Sequence, residues 1–388
     1  MNVLFLTHNF PRSEGDAAGS FLLRLAKALK AEGVTVHAIA PAGPGLPNTD
    51  TIEGISVERF RYAPRKFEKL AYTGNMAQDV ASSWSARLAL LSFLGADFVQ
   101  AVRARRSFEP DLIHAHWWFP NGVVGTWLKG LSHRPLITTL HGTDVRLARS
   151  VGVAKPLFRH VMQHSTQVTA VSRWLADEAQ KVISCERPTV APMPVATDLF
   201  SPGGTRTPGR LLFVGRVNTQ KGIDHLLRAV SKMKASSTLD VVGDGPGKAA
   251  MMQLATDLGI SDRVNWVGQV KQPQLVEYYR RASAMVVPSV DEGLGLAAVE
   301  ALLCETPVVA FNSGGLTDVV RDGQTGVLVP PGDVEALSRA LDDILSSEER
   351  SKTLGVAGRI YALATFAPES AARKYADIYR RALDASPS

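Results

Sequence analysis

Two hydrophobic periods alternate along this chain from end to end. Short apolar runs of four to seven residues, the length of buried strands, fall at residues 3–7, 34–40, 55–60, 112–116, 136–140, 168–171 and 189–193. A second series follows at 211–214, 239–242, 264–267, 284–287, 308–311 and 327–329. Between them the apolar positions recur at three and four. In the helix expected over residues 17–31, Leu22, Leu25, Ala26 and Leu29 share one face, with Arg24, Lys27 and Lys30 on the other. Strands alternating with helices predict βαβ units and parallel sheets. A stretch rich in Pro, Gly and Thr, residues 195–208, interrupts the alternation and reads as a linker. The chain is therefore expected to be α/β, with two doubly wound domains over 1–195 and 205–366, and with ligands in a cleft between facing sheets. Helices are expected near 334–345, 350–364 and 369–382, and no residue-level repeat relates the two halves.

Composition narrows the class. With 388 residues the chain exceeds one usual core, and 45% apolar with 21% charged residues fits a globular protein. Its two cysteines, Cys185 and Cys304, have neither pairing nor metal-ligand spacing, so free buried thiols in a reducing compartment are expected. The apolar start is brief and meets Arg12, Glu14 and Asp16 at once, which reads as a first strand and not a signal peptide. The apolar run 88–102 contains Gly95 and Asp97 and reads as too short and too polar to span a bilayer. A cytoplasmic location follows as the expectation. The net charge of +6 lies wholly in residues 1–198, which hold 22 Lys and Arg against 16 Asp and Glu. A basic half suits an anionic acceptor or peripheral contact with an inner membrane face, although a solvated surface with a chance imbalance is the simpler reading of so small a surplus. The segment 61–72 mixes basic and aromatic residues, yet Pro64 breaks any long amphipathic helix and a solvated connection is the simpler reading. No Arg/Lys-rich tract interleaved with aromatics points to nucleic acid.

The chemistry concentrates in residues 288–300, Pro-Ser-Val-Asp-Glu-Gly-Leu-Gly-Leu-Ala-Ala-Val-Glu. An apolar strand enters this stretch and a helix over about 296–304 leaves it. Gly293 and Gly295 permit close backbone approach of a ligand, and a helix start offers N–H groups and a positive dipole end to a phosphate. Glu292 and Glu300 bracket the turn; eight helical residues would separate them by about 12 Å. Two carboxylates accepting hydroxyl hydrogen bonds with N–H donors between them would read a sugar–diphosphate–ribose ligand, although a plain strand–turn–helix with solvated glutamates uses the same letters. After strand 211–214 come Gly215-Arg216 and then Lys221-Gly222, cations suited to a pyrophosphate leaving group. No Asp-x-Asp triplet and no His/Cys/Asp cluster with metal-ligand spacing occurs, so no metal and no cofactor is expected.

In the first half His141-Gly142-Thr143-Asp144 follows a strand, which places His141 at its carboxyl end and makes Asp144 a cap for the next turn. His114 and His116 share a strand face, and Trp117, Trp118 and Phe119 after them read as core more than as sugar-stacking surfaces. Gly15, Ala18 and Gly19 lie between the first strand and helix without completing Gly-x-Gly-x-x-Gly. Asp244-Gly245-Pro246-Gly247 reads as a structural turn with Pro246 opening a helix. A phosphate-binding Gly-x-x-x-x-Gly-Lys-Ser/Thr loop and a Gly-x-Ser-x-Gly elbow are both missing, which argues against nucleotidases and serine hydrolases.

Taken in order, Phe-Val-Gly-Arg, Lys-Gly, Val-Gly-Asp-Gly-Pro, Val-Pro-Ser-x-x-Glu-Gly-Leu-Gly-Leu, Glu-x7-Glu, Thr-Pro-Val-Val-Ala and Gly-Gly-Leu-x-x-Val-Val resemble the retaining glycosyltransferases of family 4. The resemblance covers nearly the whole chain and is densest over 211–330. It implies two Rossmann-like domains of the GT-B fold, with the last helix, 369–384, crossing back onto the first domain. It implies a nucleotide-sugar donor, UDP- or GDP-linked, and a sugar or lipid-linked acceptor hydroxyl in glycan, glycolipid or envelope polysaccharide synthesis. Transfer would be metal-independent and would retain configuration, with the departing phosphate taking the acceptor proton. By the same resemblance Gly215, Arg216 and Lys221 would hold the diphosphate, Glu292 the sugar and Glu300 the ribose. Gly293, Leu294, Gly295 and Leu296 would offer backbone N–H groups to sugar and phosphate, Gln269 and Val270 would meet the base, His141 would stand beside the donor sugar, and Gly19 would lie over the phosphate. Departures from the pattern are Ala18 for a second Gly, Pro192-Met193-Pro194-Val195-Ala196-Thr197 for a linker with Asn and Asp, and Glu305 for a Gly after a helix. A nucleotide-sugar epimerase or a non-catalytic sugar-nucleotide binder on the same fold is the alternative.

Overall fold

The computed structural model describes residues 1–68, 70–72 and 76–385, and the chain divides into two compact units. The first is built from Met1–Pro194 with the chain from Pro368 onward, and the second from Val195–Ala367. The strands of the first unit are β1 Asn2–Leu6, β2 Thr35–Pro41, β3 Thr49–Ile52, β4 Ile55–Phe60, β5 Leu112–His116, β6 Leu136–Leu140, β7 Gln167–Ala170 and β8 Thr189–Val190. Helices α1 Ser20–Leu29, α2 Met76–Ser82, α3 Trp84–Phe108, α4 Val123–Ser132, α5 Thr143–Ser150, α6 Ala154–His164 and α7 Arg173–Val182 connect them. The described sheet runs β3-β4-β2-β1-β5-β6-β7-β8. Every pairing is parallel except β3 with β4.

The second unit carries β9 Arg210–Val214, β10 Thr238–Val242, β11 Val264–Gly268, β12 Ala284–Val287, β13 Val308–Phe311 and β14 Gly326–Val329. Its sheet order is β11-β10-β9-β12-β13-β14, parallel throughout. Helices α8 Ile223–Lys232, α9 Lys248–Asp257, α10 Gln272–Arg281, α11 Leu296–Leu303, α12 Leu316–Val319, α13 Val334–Ser346 and α14 Glu348–Phe366 cover it, and α15 Pro368–Asp384 returns to the first unit. The strands are buried on both faces, as parallel strands between helices must be; β12 and β13, for example, are buried at every position. The reversal of strand order in this sheet, between β9 and β12, brings the loops that follow β9 and β12 to neighbouring positions.

Several local expectations are corrected. The first helix begins at Ser20, because Gly19 takes a left-handed conformation (φ +68) that no helix can run through. The strand expected at 189–193 stops at Val190; Pro192 and Pro194 have no N–H to give a ladder. β3 escapes the hydrophobic pattern because Thr49, Asp50 and Thr51 are polar; it folds back on β4 through Glu53-Gly54, both at positive φ, a two-residue hairpin turn. Pro246 sits before α9 in the turn, not at its first position. Residues 195–208 are not a loose linker. Val195 N donates to Phe366 O at 3.0 Å, Phe200 is fully buried against Tyr279, and Thr207 N donates to Arg281 O at 2.9 Å. Met193 and Ala196, which stand where the family pattern has Asn and Asp, are buried. Glu305, in place of the usual Gly, adopts φ +59, and its carbonyl accepts the Arg206 guanidinium.

The segment 61–72 is likewise packed and not simply solvated. Tyr62 is 3% exposed and its hydroxyl accepts the N–H groups of Leu70 and Ala71. Arg61 donates to Asn48, Leu46 O and Glu68. Among the described residues of this segment only Pro64, Arg65, Lys66 and Phe67 stand out in solvent, while Glu68 is buried and Lys69 lies outside the described residues. Cys304 is buried, which pushes its thiol up to about 12, whereas Cys185 is only half-buried.

Candidate active site

In the second unit the loop leaving β12 is held from both sides. Val290 N donates to Gln220 O at 3.1 Å, and Asp291 N is directed at Ser313 Oγ at 3.4 Å. Gly315 N donates to Glu292 O at 2.7 Å. Two glycines make this fit possible. A Cβ on Gly222 (φ +63) would lie 2.0 Å from Pro288 O, and one on Gly314 (φ +61) would lie 2.6 Å from both Glu292 N and Glu292 O. The consequence is a rigid frame for Glu292. Its Oε2 meets Lys221 Nζ at 2.6 Å, with the two side chains 18% and 24% exposed. This is a half-buried ion pair at the rim of the sheet, and neither partner is lost in bulk solvent. Arg216 is exposed on the loop after β9, and Gly215 brings that backbone close to Lys221, whose Cε stands 3.7 Å from where a Gly215 Cβ would be.

Gly295 (φ +94) caps α11, so the first amides of that helix have no partner within its own ladder and present the positive end of its dipole. Gly293 and buried Leu294 lead into this cap and Leu296 is its first helical residue, half-buried. Only Leu296 to Glu300 is helical between the two glutamates, a rise of about 6 Å and not the 12 Å of a continuous helix. The carboxylate of Glu300 accepts Tyr279 Oη at 2.7 Å, and Tyr279 is fully buried. Burial, reinforced by the Glu300 charge, pushes the Tyr279 phenol well up, so it stays a donor and fixes one Glu300 oxygen. Gln269 is exposed and Val270 half-buried in the loop between β11 and α10. Beneath the site, Ser289 Oγ is fully buried without a hydrogen-bond partner. Gln220, Tyr279, Ser313 and Gly314 were not singled out by sequence reasoning; only the Gly-Gly after β13 carried a signal, as part of the family pattern.

In the first unit, His141 follows β6. Asp144 in α5 does more than cap a turn: its Oδ1 accepts from His141 N (3.1 Å), Gly142 N (2.8 Å) and Val145 N (3.0 Å), while Oδ2 accepts Trp118 N (3.2 Å). Burial raises the Asp144 carboxyl against the pull of those four amides. His141 is stacked on Trp117 at 4.1 Å, and His8 lies on the same indole at 4.4 Å. Trp117 sits at φ +66, an uncommon conformation for so bulky a residue and one that functional sites often hold. His116 Nδ1 and His141 Nε2 share a hydrogen bond at 3.3 Å. His114 binds Tyr379 Oη of α15 at 2.8 Å and Thr139 Oγ1 at 2.7 Å. His8 Nδ1 donates to Asn121 Oδ1 at 2.9 Å, and Asn121 Nδ2 donates to buried Asp97 at 3.3 Å. Desolvation lowers all four imidazoles, His8 to about 4, His114 to about 3, and His116 and His141 well below their ordinary value, so they are neutral near pH 7. His141 thus offers a hydrogen bond and not a positive charge. Gly19, at the head of α1, is tied to this cluster through Phe21, whose ring is 5.6 Å from His141. His114, Trp117 and Trp118 are buried as core residues, yet Trp117 also forms the wall of His141, which residue type alone did not reveal.

Residues 18–199 match the description Glycosyltransferase Family 4, and residues 198–360 match Glycosyl transferases group 1. D-inositol 3-phosphate glycosyltransferase 2 of Catenulispora acidiphila is 30% identical over 95% of this chain and 91% of its own length. The glycogen synthase of Mycobacterium tuberculosis is 28% identical over 98% of this chain and 94% of its own. Among solved structures, sucrose-phosphate synthase from Thermosynechococcus elongatus superposes with a TM-score of 0.83 at 26% identity, over 99% of this chain and 100% of that one. The Anabaena protein HepE, solved with UDP-glucose, superposes with a TM-score of 0.71 at 19% identity, over 98% of this chain and 100% of that one. The chain belongs to the family 4 glycosyltransferases and has their GT-B fold.

Proposed function

We propose that this protein is a retaining hexosyltransferase that moves a sugar from a UDP- or GDP-sugar to an acceptor hydroxyl without a metal ion. The observation that carries the reading is the Lys221–Glu292 pair, held half-buried beside the head of α11. A glutamate that accepts sugar hydroxyls and a lysine that meets a diphosphate are pre-positioned here within one hydrogen bond of each other. In the proposed complex Arg216 and Lys221 neutralise the diphosphate, and the amides of Gly293 to Leu296 add dipolar donors. Lys221 exchanges part of its contact with Glu292 for a phosphate oxygen as negative charge grows there, an interaction stronger in the transition state than before it. Glu300, fixed by Tyr279, accepts the ribose hydroxyls, and Gln269 and Val270 flank the base.

His141, neutral and braced by Asp144 and Trp117, donates to or accepts from the donor sugar. The departing phosphate oxygen takes the acceptor proton, so no protein base is assigned. UDP as the nucleotide finds support in the UDP-glucose complex of the structurally similar Anabaena protein. A sugar or lipid-linked acceptor, cytoplasmic placement and a role in glycan or envelope synthesis belong to the same proposal. The test is incubation of the full chain with a panel of sugar nucleotides and acceptors, following nucleoside diphosphate release and reading the anomeric configuration of the product by NMR. An inverted product would overturn the retaining assignment, and an altered donor sugar without acceptor would favour epimerisation.

A further inference from the structure

The outer face of α3 does not have the composition of a water-facing helix. Its solvent stripe, spaced at three and four, runs Trp84, Leu88, Leu91, Gly95, Val99, Arg103 and Arg106. Trp84 is 77% exposed, Leu88 66%, Leu91 67% and Val99 48%. On α4, Trp127 (44% exposed) meets Phe98 of α3 edge-on at 5.9 Å, and Leu131 (51% exposed) accepts Arg105 through its carbonyl, so the apolar band widens onto a second helix. A helix on the surface of an α/β unit ordinarily turns its charged face outward. Here the first five positions of the outward stripe are apolar and the last two are basic.

The charges are one-sided. Arg87 lies 4.7 Å over the Trp84 ring, and Arg103, Arg105 and Arg106 follow. The helix has one acid, Asp97, and that residue faces inward, fully buried, accepting Asn121. By length and composition α3 would suffice to cross a membrane. Its inner face forbids that, because Phe93, Asp97, Ala101 and Ala104 are locked into the core. A helix fixed to a folded body, with tryptophan and leucines outward and arginines alongside, suits the interface plane of a bilayer.

We propose that the outer face of α3, with Trp127 and Leu131 of α4, docks on an anionic lipid bilayer. A second copy of the chain is the poorer occupant, since a two-fold pairing of this face sets arginines against arginines. The inference does not depend on the glycosyl-transfer reading. The experiment is flotation of the full-length protein with vesicles of mixed phosphatidylglycerol and phosphatidylcholine, and of phosphatidylcholine alone. The protein should float with the anionic vesicles, stay behind with the neutral ones, and release as salt is raised. Leu88→Glu/Leu91→Glu, at exposed positions, should cut the bound fraction at least tenfold with the melting midpoint unchanged. Arg103→Glu/Arg106→Glu should remove the preference for anionic lipid. Failure of the wild type to float at any composition would overturn the proposal and leave the face to a protein partner. Equal flotation of the Leu88→Glu/Leu91→Glu variant would place any lipid contact elsewhere. Dimerisation abolished by that variant, without vesicle binding, would make the face a contact between copies.

Discussion

The Tyr279 hydroxyl helps to fix Glu300. Tyr279, buried and kept protonated, donates to one of its oxygens and leaves the other oriented. Removing the carboxylate in Glu300→Ala should weaken nucleotide binding about tenfold to a hundredfold, the worth of hydrogen bonds to a charged group. Tyr279→Phe keeps the charge and loses only its orientation, so titration of the same nucleotide should show a loss of a few-fold. Equal losses in both would mean that Glu300 acts through the fold and not on the ligand. The histidines of the first unit make a different prediction. His8 is lowered to about 4 in the folded chain, so between pH 6.5 and 4 the unfolded state binds its proton first. Stability is then highest above pH 6.5 and falls as pH drops through that window, by about 1.4 kcal/mol per pH unit for each such group. Asp97 and Asp144, raised by burial, act with the opposite sign, and four imidazoles outnumber them. Denaturant melts from pH 7 to 4.5 should show this decline, with a slope shallower by about 1.4 kcal/mol per pH unit in His8→Gln; an unchanged slope would show that His8 is not held neutral.

Among the elements, the loop between β12 and α11 depends on its neighbours more than on its own sequence. Glu292 is where it is because Gln220 and the Gly314-Gly315 turn grip the backbone around it. Gly222→Ala would drive a methyl group into Pro288 O and force a left-handed alanine. It should cost about 2–4 kcal/mol and disturb the Lys221–Glu292 pair, read as a lower melting midpoint together with weaker nucleotide binding. Gly130→Ala, at an exposed position of α4 with nothing within 4 Å, should instead stabilise by about 0.5–1 kcal/mol. The strands were legible in the sequence because each buried strand is a compact apolar run; nearly all were placed to within a residue or two. β3 was not, since its contribution is backbone pairing by polar residues. The helix face of α3 was legible as an apolar run but not as an exposed one, because periodicity alone does not say which face the sheet takes.

For the whole molecule, the chain passes from the first unit to the second at Pro194 and returns at Pro368. The returning helix α15 is anchored by Tyr375 Oη on Ala191 O and Tyr379 Oη on His114. That anchoring joins residues 184 and 265 positions apart in sequence, so no local pattern announced it. Glu292, Lys221, Arg216 and His141 were found from residue type and position after a strand. Asp144 was legible as a local cap and Trp117 only as core, whereas Tyr279, which holds Glu300, and Gly314, which backs Glu292, were not, because each acts through a contact distant in sequence.

The central claim is that Lys221, steered by Glu292, eases a nucleoside diphosphate off its sugar without a metal. The direct measurement is the rate of diphosphate release from the preferred sugar nucleotide, with acceptor and excess EDTA, for the wild type and Lys221→Ala. Release should persist in EDTA, and the variant should lose about a hundredfold to a thousandfold in kcat with KM little changed. Release that stops in EDTA and returns with a divalent ion, or a Lys221→Ala enzyme that turns over like the wild type, would contradict the account.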